Sequence, residues 1–194
     1  IINKNEVKIS SENMLFLEGK GSLIDLMQWF GLDTSLWKPT GKTSLNSIKD
    51  LLPKELKTLL VHNTITRLDE LLSLSLKLDS PYWCLCPNAN WYIERRIPNI
   101  DDFITSNAKV TLGTDSLSSN WGLSILSEMK RINEHYPKTP TVTLLKWGTQ
   151  NGAELLGVDS KFGTLEKGKS PGINLITGLS NGEITESSEV VKLD

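Results

Sequence analysis

Three short apolar segments, each ending in a polar residue, constrain the fold of this chain more than any other feature. They read TLLVHN at 58–63, YWCLCPN at 82–88 and KVTLGTD at 109–115. None alternates strictly between apolar and polar residues, a pattern typical of strands buried on both faces in a parallel sheet. Their polar ends, His62, Asn88 and Asp115, lie 26 and then 27 residues apart, about one strand–loop–helix–loop unit. The pattern predicts an α/β protein with parallel strands.

The stretches between these segments have helical periodicity. After His62, one helical face would carry Leu68, Leu71, Leu72 and Leu76. After Asp115, a helix with Ser119 or Asn120 as its N-cap would carry Ile125, Met129 and Ile132 on one face. A further helix is predicted to open at Pro140 with Thr139 as its cap and to stop at Gly157.

The two ends of the chain have different patterns. Near the start, SSENMLFLEGKGSLIDLMQWFGLD at 10–33 is helical in character, with Gly19 and Gly21 dividing it into two pieces. Near the end, FGTLEKGKSPGINLITG at 162–178 alternates turn residues with short strand-like runs, and Asn181-Gly182 is a hairpin signal. The tail is therefore expected to be a small β appendage.

Composition excludes several classes of function. The net charge is −2 with mixed signs, which suits neither nucleic acid nor a membrane surface as a partner. No apolar run approaches the roughly 20 residues that span a bilayer. Cys84 and Cys86 would point to the same face of a strand, but no second cysteine pair completes a zinc site, so buried structural thiols are favoured. Such cysteine usage indicates a reduced, cytoplasmic setting.

PTGKTS at 39–44 is superficially similar to a nucleotide-binding loop. The glycine that a P-loop needs five residues before Gly-Lys is replaced by Leu36, and no strand precedes the segment. A loop in which Thr43 or Ser44 caps the next helix is favoured.

His62 and Asp115 each follow a predicted strand. The carboxyl ends of parallel strands form the site face of an α/β sheet or barrel, so these two side chains could share a functional pocket. The alternative stays open that His62 satisfies a loop carbonyl and Asp115 makes an Asx-type turn with Ser116 or Ser118.

Four segments in order resemble the amidohydrolase superfamily, in its deaminase and chlorohydrolase-like branch. LGTDSLSSN at 112–120 is similar to the segment after that family's last barrel strand, and LLVHNT at 59–64 to the earlier strand with a single histidine. CPNANWYI at 86–93 is similar to its Cys-Pro-x-Ser-Asn segment, with Ala89 where Ser is common. NGAELLGVDSKFGTLEKGKSPGINLI at 151–176 is similar to its last helix and the return into a small β-sandwich.

The resemblance implies the C-terminal half of a (β/α)8 TIM barrel over residues 1–160, with a β-sandwich-type tail over 161–194. It implies a metal-dependent hydrolase acting on a non-peptide C–N bond of a cyclic amidine or heteroaromatic ring, as a deaminase or a related chlorohydrolase. The metal would be zinc or iron. The substrate would be a small molecule with a nitrogen-containing ring.

The resemblance also assigns roles to individual residues. Asp115 matches the aspartate that binds the metal and takes a proton from its water, and His62 matches the histidine that hydrogen-bonds the substrate. In NKNE at 3–6, Asn3 and Glu6 have the spacing of the family's His-x-x-Glu. Glu6 would handle substrate protons, whereas Asn3 is a poorer metal ligand than the imidazole it would replace.

The family's first strand carries His-x-His, yet this chain contains only His62 and His135. We therefore expect a piece of an enzyme whose N-terminal half is a missing partner, with this chain alone inactive and binding no metal. Two alternatives stay open: a catalytically silent homologue that serves in binding, and an assembly module whose open strand edges pair into a homo-oligomer.

Overall fold

The chain forms two compact units in a computed structural model that describes residues 11–193, with Ser11 described in its backbone alone. The units are residues 1–53 and 54–194. In the described part of the first, the helices are α1 (Ser11–Glu18), α2 (Ser22–Trp29) and α3 (Ser44–Ile48), followed by a 3-10 turn (Lys49–Leu51). Gly19 and Gly21 separate α1 from α2 with φ of 65° and 100°, as predicted. The Thr43 hydroxyl accepts the Asn46 N–H at 3.4 Å and caps α3, so PTGKTS is a loop that leads into a helix.

The second unit carries a parallel sheet. Its strands are β1 (Thr58–Val61), β2 (Pro81–Leu85) and β3 (Lys109–Leu112), in the spatial order β1-β2-β3. The helices between and after them are α4 (Leu68–Lys77), α5 (Pro87–Glu94), α6 (Ile100–Thr105), α7 (Ile125–His135), α8 (Thr141–Gly148) and α9 (Gln150–Leu156). An antiparallel hairpin of β4 (Ile173–Thr177) and β5 (Glu189–Leu193) follows. The predicted α/β class with parallel strands is confirmed.

The core of this unit lies on β2 and β3. Trp83 and Val110 are fully buried, and the Trp83 ring meets Phe103 of α6 edge to face, with centroids 5.9 Å apart. Leu71 and Leu74 of α4 are also fully buried. Each such aliphatic side chain contributes about 1.5–3 kcal/mol by burial, so the central strand is firmly held and its carboxyl end is a rigid base for a site.

Burial on both faces, which the sequence predicts for all three strands, is wrong for β1 in the described structure. Leu59 and Val61 are 41% and 48% exposed. Asn88 also differs from the prediction: it lies in the first turn of α5, since β2 ends at Leu85 and Pro87 starts the helix.

Three helix boundaries differ from those predicted. The N-cap of α7 is Ser124 instead of Ser119 or Asn120, and the Asn120 side chain bonds to Thr114 and Glu128. Pro140 and not Thr139 is the N-cap of α8. The helix expected to run to Gly157 breaks at Thr149, with φ −133° and ψ −79°, where the Asn151 amide donates to the Val110 carbonyl at 2.6 Å. Gly157 ends α9 in the left-handed conformation, as predicted.

Within residues 11–193, no helix combines the length and apolar character needed to cross a membrane. The half-barrel and the division into 1–160 and 161–194 stay predictions.

Candidate active site

His62 begins the turn directly after β1. Its backbone N–H donates to the Cys84 carbonyl at 2.9 Å and so extends the parallel register by one residue. His62 and Asn63 both have positive φ, 70° and 56°, and the Asn63 side-chain amide closes the turn by donating to the Leu60 carbonyl at 2.8 Å. A histidine at positive φ is uncommon and costs backbone energy, so the fold holds this side chain in a direction that a continuing strand would not give it.

Asp115 lies three residues beyond β3, also at positive φ, 56°. Its Oδ2 accepts the Ser119 hydroxyl at 2.8 Å, while Ser118 bonds to the Ser116 hydroxyl instead. The pKa of Asp115 is lowered, first by the Ser119 hydrogen bond, then by the Ser116 backbone N–H and the nearby His62. The carboxylate thus closes a local turn, accepting from the Ser116 backbone N–H and the Ser119 hydroxyl, and its part in a shared functional site stays a prediction.

The structure brings His62 and Asp115 together: His62 Nε2 and Asp115 Oδ2 are 3.9 Å apart. Strands β1 and β3 flank β2, so their ends are about two strand spacings, or roughly 10 Å, apart. Two side chains can span that distance only if they turn towards each other across β2. The left-handed backbone conformation at both residues directs the two side chains in this way. The open alternative for His62 is not observed, because its Nδ1 contacts the buried Asn90 side chain at 3.4 Å rather than a loop carbonyl.

The thiols of Cys84, in β2, and Cys86, at the N-cap of α5, lie close to each other beside Gly113. A Cβ added to Gly113 would stand 2.7 Å from Cys84 Sγ and 3.4 Å from Cys86 Sγ, so the thiols occupy the space that any larger residue at 113 would need. A hydrogen bond from Cys86 lowers the pKa of Cys84 to about 7. The same hydrogen bond, together with burial, raises the pKa of Cys86.

A buried carboxylate joins the loop after β3 to the start of α5. Glu128 of α7 is fully buried and accepts three hydrogen bonds: the Asn88 backbone N–H at 2.8 Å, the Asn88 amide at 3.1 Å and the Asn120 amide at 2.8 Å. Asn120 also donates to the Thr114 carbonyl at 2.6 Å, next to Asp115. Burial raises the pKa of Glu128, and the amide donors oppose the rise. The loop that carries Asp115 is thereby anchored to α7 and to the start of α5.

Arg131 completes this network at the surface. Its Nε donates to Asn88 Oδ1 at 3.0 Å, so Asn88 links the arginine to Glu128. The guanidinium stacks against two indole rings, 5.5 Å from the centroid of Trp91 and 5.9 Å from that of Trp121. Sequence reasoning missed Glu128, although a signal exists: it lies four residues before Ile132, on the apolar face of α7, where a carboxylate needs partners.

The described residues do not make a complete metal centre. Within 11–193, no three histidine, cysteine, aspartate or glutamate side chains are grouped to hold a metal ion. Protein zinc sites use at least three such ligands, so Asp115 could supply one ligand of a centre and not the whole of it. The predicted site residues Asn3 and Glu6 lie outside the described residues.

The chain was compared with known families and proteins. The sequence model of the amidohydrolase family matches residues 33–193. The 5'-deoxyadenosine deaminase of Methanobrevibacter smithii is 33% identical over 109 residues, which are 53% of this chain and 25% of that protein. The chain thus spans about a quarter of the length of this curated relative.

Two solved structures share the fold. Helicobacter pylori aminofutalosine deaminase superposes with a TM-score of 0.67 at 23% identity, covering 82% of this chain and 39% of that one. An adenosine deaminase from Xanthomonas campestris with bound zinc superposes with a TM-score of 0.60 at 19% identity, covering 84% and 35%. Identities this low support the fold alone. Because the family model covers well over half of the sequence, the chain belongs to the amidohydrolase family.

Proposed function

We propose that the protein to which this chain belongs is a hydrolytic deaminase acting on an amino-substituted nitrogen heterocycle, of the 6-aminopurine nucleoside class. The observation that carries the proposal is the pairing of His62 Nε2 with Asp115 Oδ2, 3.9 Å apart at the carboxyl ends of parallel strands, in a chain of the amidohydrolase family. The named relatives deaminate 5'-deoxyadenosine, aminofutalosine and adenosine, which supports this substrate class.

The reaction replaces a ring amino group by oxygen, with water consumed and ammonia released. The water oxygen forms a bond to the ring carbon and the bond from that carbon to the amino nitrogen breaks. Of the two water protons, one ends on a ring nitrogen and the other leaves with the amino group as ammonia. Asp115 is proposed to accept the water proton, since its lowered pKa keeps the carboxylate ionised near neutral pH. His62 is placed beside it to hydrogen-bond the water or the departing nitrogen. Glu6 is proposed to protonate the ring.

We propose that Asp115 also contributes one ligand to a zinc-type centre, whose other ligands lie outside residues 11–193. A bound divalent metal would supply water that is acidic enough to ionise near neutral pH. The bound zinc of the solved adenosine deaminase supports this metal for the family. Asn3 would be a weaker ligand than imidazole, and zinc analysis of the whole protein separates the enzyme from a silent homologue.

The finer architecture is part of the same proposal. Residues 1–160 would form the C-terminal half of a (β/α)8 barrel, and 161–194 part of a β-sandwich-type tail. The parallel order β1-β2-β3 and the antiparallel β4-β5 hairpin support it. The partner half of the barrel and a homo-oligomer also remain proposals.

The test is an ammonia-release assay on the protein expressed from the full reading frame, with 5'-deoxyadenosine and adenosine as substrates. Asp115→Asn should lower kcat on the order of 10²–10⁴-fold, because an amide cannot take up the proton. The matched control is Asp159→Asn, at an exposed position in the same unit, which should leave turnover unchanged. Undiminished turnover in Asp115→Asn would remove Asp115 from the mechanism.

A further inference from the structure

A chain of side-chain hydrogen bonds runs from the surface of α5 to the imidazole of His62. The Thr64 hydroxyl bonds to Glu94 Oε1 at 3.3 Å, and the Asn90 Nδ2 bonds to the same hydroxyl oxygen. Asn90 Oδ1 lies 3.4 Å from His62 Nδ1. Asn90 is only 2% exposed, so its amide has little access to water and depends on these two partners.

The direction of each bond in this chain follows from its acidic end. A carboxylate only accepts, so the Thr64 proton points to Glu94. A hydroxyl has one proton, which leaves the Thr64 oxygen as an acceptor and requires the NH2 group of Asn90 on that side. The carbonyl of Asn90 therefore faces His62. Since a carbonyl oxygen also only accepts, the proton of the neutral imidazole must be on Nδ1.

We infer that Glu94, Thr64 and Asn90 form a positioning relay that holds neutral His62 as its Nδ1–H tautomer. The relay leaves the lone pair of Nε2 facing Asp115 Oδ2, 3.9 Å away. A lone pair and a carboxylate oxygen at this distance cannot hydrogen-bond each other. Asp115 Oδ2 already accepts the Ser119 hydroxyl, so a link between Oδ2 and Nε2 needs a third group that donates to both.

This arrangement favours a ligand that offers two hydrogen-bond donors to the space between Nε2 and Oδ2. A water molecule can give one O–H to Nε2 and the other to Oδ2, and an amino group can do the same with two N–H bonds. In the opposite tautomer, Nε2–H would point towards Asp115 Oδ2 and Nε2 could not accept a hydrogen bond from such a ligand. Naming water and the ring amino group as those ligands rests on the proposed function, whereas the tautomer rests on the hydrogen bonds alone.

The tautomer can be measured without any turnover. In the ¹⁵N-labelled 194-residue chain, long-range ¹H–¹⁵N correlation spectra on the alkaline side of neutrality distinguish the protonated ring nitrogen from the bare one. His62 should carry its proton on Nδ1 in the native chain. Asn90→Leu removes the acceptor and should lose the Nδ1–H form, whereas Asn90→Asp keeps an acceptor at the same place and should retain it.

His135 is an internal control in the same spectrum. Its Nδ1 lies 3.1 Å from the Arg131 carbonyl, so it should be Nδ1–H in every variant. Thr64→Val removes the acceptor for the Asn90 amide and should give a mixture of His62 tautomers. Finding Nε2–H in the native chain, or an unchanged His62 in Asn90→Leu, would overturn the relay.

The catalytic consequence has a separate readout. In the whole protein, Asn90→Leu should lower kcat about 10- to 100-fold with little change in KM, and Asn90→Asp should recover part of the loss. If no purine nucleoside is a substrate while His62 is Nδ1–H, the proposed function fails and the relay stands. If Asp115→Asn abolishes turnover while His62 is Nε2–H, the function stands and the relay fails.

Discussion

Asp115 lies in the loop after β3 with about a third of its side chain exposed, whereas Glu128, thirteen residues later, is fully buried. The pKa of Asp115 is lowered by a serine hydroxyl and a backbone N–H, and the pKa of Glu128 is raised by burial. Asp115 faces His62 at the surface, while Glu128 accepts three amide hydrogen bonds in the interior. The two carboxylates belong to one strand–loop–helix unit, yet their surroundings give them different roles. Asp115 is a candidate chemical group, and Glu128 is a structural anchor.

The strongest test of these two roles compares the free energies of unfolding of variants at the two positions. Glu128→Ala would leave three buried amide donors without an acceptor and should cost about 3–5 kcal/mol in the free energy of unfolding. Asp115→Asn should change it by less than about 1 kcal/mol, because the site is partly exposed and Asn tolerates a positive φ. Urea unfolding monitored by tryptophan fluorescence measures both.

A matched control for this comparison is Glu134→Ala, on the same helix with about half of its side chain exposed. Its expected cost is below about 1 kcal/mol, since its ion pair with Arg131 is at the surface. Equal losses from Glu128→Ala and Glu134→Ala would contradict the anchor role.

A second prediction concerns the residue that joins the two regions. Asn120→Ala removes the donor that ties Glu128 to the Thr114 carbonyl, beside Asp115. Without it, a displacement of Asp115 by about 1 Å should lower kcat roughly 10- to 100-fold, at a cost in stability of about 1–3 kcal/mol. Turnover and urea unfolding are measured on the same preparation, with Asn174→Ala on the exposed hairpin as the control. A loss of stability with native kcat would mean that the loop holds Asp115 without Asn120.

The smallest expected effect is a dependence of stability on pH. Because the pKa of Glu128 in the folded protein is raised above its ordinary value of 4.5, its stabilising contribution is complete below that value. That contribution is lost as the pH rises through the folded pKa. Glu128→Gln cannot ionise, so the stability of the native protein relative to this variant should fall over that window and then level off.

Urea unfolding at a series of pH values measures this difference, with Glu134→Gln as the control that should show none. If the native protein gained stability relative to Glu128→Gln as the pH rises, the predicted sign of the pH dependence would be wrong. That result would show that the three amide donors outweigh burial in setting the pKa of Glu128.

The sequence predicted the elements that depend on local pattern. The apolar segments before His62 and Asp115 are strands β1 and β3, and the leucines from 68 to 76 lie in α4. Gly157 ends α9 because a left-handed residue is required there. The rule that parallel strands present their carboxyl ends at one edge was enough to bring His62 and Asp115 into one hypothesis.

The residues that support the site were not predicted. Asn90 and Glu128 act on partners 28 and 40 positions away, and no local pattern encodes such contacts. The sequence pattern predicts Ser119 or Asn120 as a helix cap, yet the Asn120 amide bonds to Thr114 and Glu128. A polar residue in a loop can satisfy its hydrogen bonds in many ways, and only the packing of α7 against α5 selects among them.

By itself, the sequence determined the strand–helix order, the polar residues after β1 and β3, and membership of the amidohydrolase family. These follow from periodicity, turn residues and motifs, which are local properties of the chain. Tertiary structure alone decided the 3.9 Å approach of His62 to Asp115, the burial of Glu128 and the direction of the Asn90 relay. Distances and hydrogen-bond directions between distant residues exist only once the backbone is folded, because they depend on how strands and helices pack.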